Sequence, residues 1–367
     1  GGRVTSFGEG RIRHKEIWWG SLPRRHRSSD PRRVAGFVVA KSRFSPVDSD
    51  RIRIRSIRSS SARRGSRRGR VALWAAAGLT LAGTGAGVAG VRVGTAGAAT
   101  AKTVTVTAGA NLATTLASMN PGDTLMLKNG TYPYTQLFGH DYGVTITGES
   151  RTGTVIAGLA VKGSSNLTLS NLTLTGTKAN GASSIKIYGT SSNVTVRNTD
   201  IRPVTAAGAE IAEGSHDITF DAINLDGSAV NTESGWGIWM GRWGATSPMP
   251  QRVTITNSKL RGTHNDLIHA SGVTTLSVAN NLMTAVQVSD LHTDGIQVTE
   301  GSGIKISNNH FTAPGAFTHN QAMMIGDHDG KTANVTITNN LVNDWMGAGL
   351  IVAGVHQATI INNTLIQ

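Results

Sequence analysis

The chain has no cysteine among its 367 residues. A disulfide framework is therefore excluded, and the fold must be held by its apolar core and its backbone hydrogen bonds. Apart from one short Gly-rich segment after residue 70, no apolar run approaches the length that spans a bilayer. These absences predict a folded domain without a permanent membrane anchor, and we expect it to be a monomer.

An excess of positive charge is absent outside the first 70 residues. Residues 1–70 hold 18 Arg and 2 Lys against 5 acidic residues (+15), which leaves 15 basic and 17 acidic residues (−2) for residues 71–367. The overall charge of +13 therefore belongs to the leader. It does not indicate a nucleic-acid partner for the folded part.

The leader divides into two predicted segments. Residues 1–65 contain no Met and end in an Arg/Ser/Gly-rich stretch, which predicts a basic, disordered tail or a non-native upstream reading frame. Residues 66–101 have the basic, apolar and small-x-small regions of an export signal, ending at Ala99-Thr100-Ala101. The sequence predicts a secreted, extracellular protein. Export follows the general secretory route or, from Ser66-Arg67-Arg68, the twin-arginine route.

From residue 102 onwards the chain repeats a short alternating unit, x-apolar-x-apolar-x-Asn. The final positions of successive units are 27, 24, 35, 23, 28, 31 and 23 residues apart. Alternation of Val, Ile or Leu with Thr or Ser is typical of a strand with one buried face, and Asn suits the tight turn that follows. The units begin at Asn166, Asn193, Asp217, Arg252, Thr275, Gly303, Asn334 and Gln357.

Short strands at this period, without a helical return arm, predict an all-β, single-stranded parallel β-helix over residues 102–367. A short amphipathic helix over Asn111–Met119 is expected to cap the first coil. Because the sequence stops inside a coil, we expect a C-terminal truncation. The repeats, with the opening Pro121-Gly122-Asp123-Thr124, resemble the right-handed parallel β-helix (pectate lyase-like) superfamily in its secreted bacterial form. That superfamily includes pectate lyases, polygalacturonases and alginate-modifying enzymes, and no specific family is identified.

A second strand precedes each repeat unit. When these strands are aligned by their inward apolar pairs, one outward residue per coil falls into a row of seven. Since neighbouring coils lie about 4.8 Å apart, the row extends over about 29 Å, enough to lie along several sugar units. The row consists of Lys186, Glu210, Trp239, His269, Gln297, Met324 and Ile351.

Two segments 28 residues apart share the pattern His-x-Asp-x-Ile, at His264–His269 and His292–Gln297. In a coiled solenoid these acid–imidazole pairs stack, although one Asp at a strand start is more often a turn cap. The candidate catalytic residues are His264, Asp266, His269, His292 and Asp294. The candidate substrate-binding residues are Trp236, Trp239, Arg242, Gln297, His319 and Gln321. Asp266, Asp294 and Asp327 are candidate ligands for Ca²⁺, which prefers hard oxygen donors.

The resemblance implies an acidic extracellular polysaccharide as the partner, and a lyase that cleaves uronic-acid polymers by β-elimination. Such an enzyme neutralises the substrate carboxylate through Ca²⁺ or a basic side chain, and then abstracts the C5 proton. Arg242 is a candidate for the first task. Imidazole suits the second because it titrates near neutrality, and His264, His269 and His292 all remain open as the base.

Other activities are compatible with the same pattern. His292–Gln297 resembles the Asn-Thr-Asp-Gly-Ile-Asp motif of polygalacturonases, with Asp294 at the catalytic position. The acids that such a glycoside hydrolase needs on the next coil are absent from Gln321–Met324. A C5-epimerase uses the same proton abstraction as a lyase. A non-catalytic carbohydrate-binding or adhesive β-helix is the alternative outside enzymes.

Overall fold

The computed structural model describes residues 100–176, 183–230, 235–241, 246–285, 293–313, 321–326, 330–345 and 347–366. Residues 1–99, which carry the leader and nearly all of the predicted export signal, lie outside this set, so both stay predictions. The described residues wind into a parallel β-helix in which the chain passes through three sheets in turn. No helix among them has the length and apolar character needed to cross a membrane.

The first sheet contains the repeat units and is called the repeat sheet. It has eleven strands in the described part of the chain, each paired in parallel with that of the next coil. With strands numbered in chain order, they are β1 Thr103–Val106, β2 Thr124–Leu127, β5 Asp141–Gly148, β8 Ser165–Ser170, β11 Ser192–Arg197, β14 His216–Asp221, β17 Gln251–Thr256, β20 Val273–Ala279, β23 Gly301–Ser307, β26 Thr332–Thr338 and β29 Val355–Ile361.

The second sheet carries the predicted outward row and is called the ladder sheet. Its nine strands within the described residues are β4 Thr135–Phe138, β7 Leu159–Lys162, β10 Ile185–Tyr188, β13 Ala209–Ala212, β16 Ile238–Gly241, β19 Ile268–Ala270, β22 Ile296–Val298, β25 Met323–Ile325 and β28 Ile351–Val352. The sequence predicted seven of these strands, from β10 to β28.

The third sheet, called the short-strand sheet, has ten three-residue strands in the described part of the chain. They are β3 Gly130–Tyr132, β6 Thr154–Ile156, β9 Thr173–Thr175, β12 Asp200–Arg202, β15 Asn224–Asp226, β18 Lys259–Arg261, β21 Leu282–Thr284, β24 His310–Thr312, β27 Leu341–Asn343 and β30 Thr364–Ile366. Parallel pairing in all three sheets explains why helices are nearly absent: each coil needs only short turns between its strands. The predicted all-β parallel β-helix is therefore confirmed.

The repeat unit gains its shape from left-handed backbone angles at both ends. Its first residue has a positive φ in every unit, as at Asn166 (57°) and Asn193 (52°), and so does its last residue, as at Asn171 (53°) and Asn198 (46°). Asn adopts this conformation more readily than other non-glycine residues. Between the two turns the inward apolar pair of each unit enters the core, as Val194 and Val196 do.

A buried row of Asn follows the turn residues, one residue further along the chain. In each of Asn281, Asn309 and Asn340, Nδ2 donates to the Oδ1 of the next Asn in the row, at 3.0, 3.0 and 2.9 Å, and the row ends at Asn363. Each of these Nδ2 atoms also donates to a backbone carbonyl inside the coil. This row satisfies the polar groups of the corner from within, where water cannot reach.

The helix α1 spans Leu112–Ala117, a shorter range than the predicted Asn111–Met119. Asn111 is its N-cap, and the Asn111 side chain accepts a hydrogen bond from the Thr114 amide. Leu112 and Leu116 are both 1% exposed and join the core cluster. Its role as a cap over the first coil stays a prediction.

Candidate active site

The ladder sheet places the predicted outward row in register. Residue by residue, Lys186 pairs with Glu210, Glu210 with Trp239, Trp239 with His269, His269 with Gln297, Gln297 with Met324 and Met324 with Ile351. The row continues upstream through Ala160 to Gln136. The alignment by inward apolar pairs is confirmed.

A second column runs along the starts of the same strands. The carbonyls of Asp266, Asp294 and Gln321 accept hydrogen bonds from the amides of Gly237, Leu267 and Gly295 on the preceding coils. Glycine is required at position 295, because a Cβ there would lie 2.4 Å from the Ala322 carbonyl oxygen. The close approach of these coils brings the two Asp side chains within reach of their neighbours along the axis.

The Asp266 carboxylate connects this column to the outward row. Its Oδ1 accepts the Asp294 backbone amide at 2.8 Å, and its Oδ2 lies 2.7 Å from Nδ1 of His269. Asp266 is 3% exposed, whereas the His269 side chain is 17% exposed. The carboxylate thus holds the imidazole by Nδ1 and leaves Nε2, on the opposite edge of the ring, without a hydrogen bond to the described residues.

Asp294 has a different environment from Asp266. It is fully buried, and its Oδ1 accepts the Gln321 backbone amide at 2.7 Å. Burial raises the pKa of the Asp294 carboxyl well above its usual range, and the neighbouring charge of Asp266 raises it further, while the Gln321 amide opposes the shift. Asp294 therefore supports the coil behind the row and does not reach the surface.

Aromatic and amide side chains surround His269. The Trp236 ring lies 6.0 Å from the imidazole, centre to centre, at 43°. Trp239 is half-buried and precedes His269 in the row. Gln297 follows it, with Nε2 3.4 Å from the Met324 sulfur. An outward indole beside polar groups suits the apolar face of a sugar ring, so Trp236, Trp239 and Gln297 lie around His269 as candidate substrate-binding residues. Gln321 lies one coil beyond Gln297, where its backbone amide donates to Asp294 Oδ1.

The predicted column of three histidines falls mostly outside the described residues. His264 is described and is 9% exposed, with no hydrogen-bond partner for its Nδ1 in the described part of the chain. His292, His319, Arg242 and Asp327 lie outside it, and their roles stay predictions. Among the described histidines of the prediction, His269 is the more accessible.

A calcium site needs several oxygen ligands around one point. Among the described residues, no group of three or more His, Cys, Asp or Glu side chains could hold a metal. Both oxygens of Asp266 already accept hydrogen bonds, and Asp327 lies outside the described set. These residues do not form a calcium site by themselves, so calcium binding stays a prediction.

Sequence reasoning did not anticipate the charge pairing at the start of the row. Lys186 Nζ lies 3.2 Å from Glu210 Oε1, and the Ser183 hydroxyl donates to Glu210 Oε2 at 3.2 Å. The signal was available, because Lys186 and Glu210 are neighbours in the predicted row. Glu210 is the neighbour of Trp239 in the row, and the ion pair with Lys186 compensates its negative charge.

Comparisons with known proteins agree with this architecture. The family model described as "Right handed beta helix region" matches residues 183–365. The structure of an alginate lyase from Paenibacillus sp. str. FPU-7 is similar, with 18% identity, a TM-score of 0.58, and coverage of 72% of this chain and 98% of that one. The family-model match and the similar structure agree that the fold is a right-handed parallel β-helix.

Two further structures are similar at a lower level. A Family 28 exopolygalacturonase from Yersinia enterocolitica has 14% identity and a TM-score of 0.48, covering 70% of this chain and 62% of that one. A pectate lyase from Bacillus sp. N165 in complex with trigalacturonate has 12% identity and a TM-score of 0.43, covering 73% and 83%. A comparison with curated proteins finds no match to the chain.

Proposed function

We propose that the chain is an enzyme acting on an extracellular acidic polysaccharide, and that it cleaves a uronic-acid polymer by β-elimination with His269 as the base. The observation that carries the proposal is the Asp266–His269 pair, in which a buried carboxylate fixes Nδ1 of an accessible imidazole at 2.7 Å. An imidazole oriented in this way presents Nε2 to the outward row as a proton acceptor.

The proposed reaction begins with a sugar chain lying along the outward row. Trp236 and Trp239 flank His269 and would stack on the apolar faces of the sugar rings. Nε2 of His269 removes the C5 proton, and the electron pair of the C5–H bond forms the C4–C5 double bond. The C4–O bond breaks, and its electron pair leaves with the glycosidic oxygen, which takes a proton from water. The imidazolium that results is stabilised by the Asp266 carboxylate.

The burial of the carboxylates favours this reaction over glycosidic hydrolysis. A glycoside hydrolase needs two carboxyl groups that face the scissile bond from either side. Asp294 is fully buried and Asp266 uses both oxygens within the protein. A base that is not a carboxylate, with direct access to the row, is therefore the better fit.

The substrate class rests on the neighbouring structures. The alginate lyase and the pectate lyase are named for uronic-acid polymers, as is the exopolygalacturonase. The neutral pairing of Lys186 with Glu210 also lowers the repulsion that an anionic polymer would meet on the row. We extend the substrate class, an acidic polysaccharide, to this chain as part of the proposal.

The test uses the full chain with alginate, polygalacturonate and other polyuronates, with and without EDTA. Ultraviolet absorbance follows new unsaturated ends, and a separate assay follows new reducing ends. We expect His269→Ala to lower the rate of unsaturated-end formation by about 100-fold or more. The matched control is Thr254→Ala, an outward residue of the repeat sheet.

Each alternative activity has its own outcome. Reducing ends without unsaturated ends would indicate a hydrolase, and a changed ratio of C5 epimers without chain shortening would indicate an epimerase. Polymer binding without any reaction would indicate a carbohydrate-binding protein. An undiminished rate in His269→Ala would remove His269 as the base.

A further inference from the structure

We propose a second saccharide subsite on the ladder sheet, formed by Phe138, Lys162 and Tyr188, that binds a uronate unit of the same polymer at a distance from His269. Its ligand class rests on the proposed function. Its existence rests on the arrangement of three side chains that the proposed reaction does not use.

The three residues occupy one register position on three adjacent coils. Phe138 on β4 pairs with Lys162 on β7, and Lys162 pairs with Tyr188 on β10. They form a second outward row, two residues further along the strands than the row that contains His269. Phe138 is 50% exposed, so its ring is open to a ligand on this face.

Lys162 lies between the two aromatic side chains. Its Nζ is 5.6 Å from the centre of the Tyr188 ring, and no ion pair joins it to a carboxylate in the described part of the chain. Lys186, by contrast, pairs with Glu210 at 3.2 Å. Lys162 is thus the cation of this region whose charge is left to meet a ligand.

The backbone is shaped to hold the Lys162 side chain in this position. Gly189 on the next coil has φ +63°, and a Cβ there would lie 3.0 Å from Cγ of Lys162. Glycine at position 189 therefore leaves room for the lysine stem to lie along the coil. With the stem beside Gly189, Nζ of Lys162 ends 5.6 Å from the centre of the Tyr188 ring.

The three side chains suit a uronate unit better than a phosphate backbone, which binds mainly through its charge. Lys186 pairs with Glu210 at 3.2 Å, so the group is not a continuous basic surface, and Lys162 is its lysine without an ion pair to the described residues. A phosphate backbone needs a basic surface. Lys186 Nζ also lies 5.4 Å from the Tyr188 ring centre, but Glu210 pairs with it. A uronate combines an apolar ring face with one carboxylate, which matches the exposed Phe138 ring beside Lys162.

The distance between the two sites defines which substrates use both. In sheet order, β7 stands four strands from β19, which carries His269. At about 4.8 Å per strand, the separation along the axis is about 19 Å. Polymers and long oligomers span it, whereas di- and trisaccharides held at His269 do not.

The first arm of the test measures binding without catalysis. In a His269→Ala background, Lys162→Gln and Phe138→Ser are compared by retardation in native gels that contain polyuronate. Lys305→Gln is the matched control, because it removes one exposed lysine from the repeat sheet and changes the net charge equally. We expect about a two- to fivefold weaker affinity for Lys162→Gln and a comparable loss for Phe138→Ser, with Lys305→Gln unchanged.

The second arm uses the active chain with oligomers of two to eight sugars. Lys162→Gln should raise KM for the long oligomers, leave KM for the short ones unchanged, and leave kcat unchanged for both. Equal retardation of Lys162→Gln and Lys305→Gln, or no retardation of the unsubstituted chain, overturns the subsite. A loss of retardation in Lys162→Gln without cleavage of any polymer overturns the lyase and retains the subsite.

Discussion

The repeat sheet and the ladder sheet each carry a long row of outward side chains, and the long row of the ladder sheet is the one that contains His269. The repeat-sheet row is almost uniform: Thr168, Thr195, Thr219, Thr254, Ser277, Lys305, Thr336 and Thr359. The ladder-sheet row changes its chemistry at nearly every coil. Both rows have the same spacing and the same pleat, so geometry does not distinguish them.

The two rows differ in whether strand formation alone explains their residues. Threonine is β-branched and favours extended backbone, so strand formation alone accounts for a threonine row. Strand formation does not account for an ion pair, an indole, an imidazole and an amide in succession. The contrast supports the proposal that the ladder sheet carries the functional site and that the repeat sheet is structural, and the following substitutions test that assignment.

The largest expected effect is that of Asp266→Asn on activity. The carboxylate that holds Nδ1 of His269 is lost, so the imidazole loses both its orientation and its stabilising charge. We expect the rate of unsaturated-end formation to fall by about 100-fold or more, measured as initial rates at saturating polymer. An unchanged rate would contradict the assignment of the ladder sheet to catalysis.

The next effect concerns stability. It tests whether a substitution in the uniform Asn row lowers the free energy of unfolding more than one in the uniform Thr row. Asn309→Leu removes the Oδ1 that accepts from the amide and Nδ2 of Asn281, and leaves these donors buried. We expect the free energy of unfolding to fall by about 2–4 kcal/mol, as for unsatisfied buried groups. Urea unfolding measures it, with Thr336→Ala, an outward and half-buried residue of the repeat sheet, as the comparison. A fall below that of Thr336→Ala would show that the buried row does not stabilise the corner.

A third comparison uses one carboxyl from each sheet. The pKa of Asp294 is raised by burial, so its contribution to stability is present at low pH and is lost as the pH rises through the folded-state pKa. Hydrogen bonds from Arg252 and His216 lower the pKa of Asp217, which lies on the repeat sheet, so its contribution is present above the unfolded pKa and is lost as the pH falls.

Asp294→Asn and Asp217→Asn should consequently differ in sign. From pH 4 to pH 8, the Tm of Asp294→Asn should rise relative to that of the unsubstituted chain. From pH 2 to pH 4, the Tm of Asp217→Asn should fall relative to it. Thermal unfolding at one-unit pH intervals measures both. Parallel pH profiles for the two variants would contradict the assigned environments.

The smallest expected effect is that of Thr254→Ala. Its side chain is half-buried on the outward face of the repeat sheet, between Thr219 and Ser277. We expect a change in unfolding free energy of less than about 1 kcal/mol, as for an ordinary change of strand propensity, and no change in kcat or KM. A large loss of activity would show that the threonine row also contacts the substrate.

Much of the fold follows from the sequence, because two inward residues per strand make the alternation visible. The short-strand sheet was not predicted because its strands are only three residues long. Strands such as Asp200–Arg202 and Asn224–Asp226 bury one large apolar side chain each, Ile201 and Leu225, and a single apolar residue produces no alternating pattern in the sequence. The buried Asn row was not predicted either, because Asn309 follows a turn residue and reads as part of a polar loop. Burial at this corner depends on the packing of successive coils.

For the candidate site, the sequence predicted which residues lie together in the row, but it did not predict the hydrogen bonds between them. The row through Trp239, His269 and Gln297 follows from alignment. The hydrogen bond between Asp266 and His269 depends on how the backbone turns at the start of β19, which spacing does not reveal. The separate environments of Asp266 and Asp294 arise from the depth of each side chain, although both occur in the same sequence pattern.

The paired left-handed residues of the repeat unit divide each coil into a segment of fixed length and a segment of free length. From Asn166 to Asn171 and from Arg252 to Asn257 the interval is the same, although the distance between successive units varies from 23 to 35 residues. All variation in length is confined to the connections. A loop beside the ladder sheet can therefore be lengthened, shortened or exchanged while the side chains along the axis keep their positions. We expect that one loop can be replaced without disturbing the residues of the other coils.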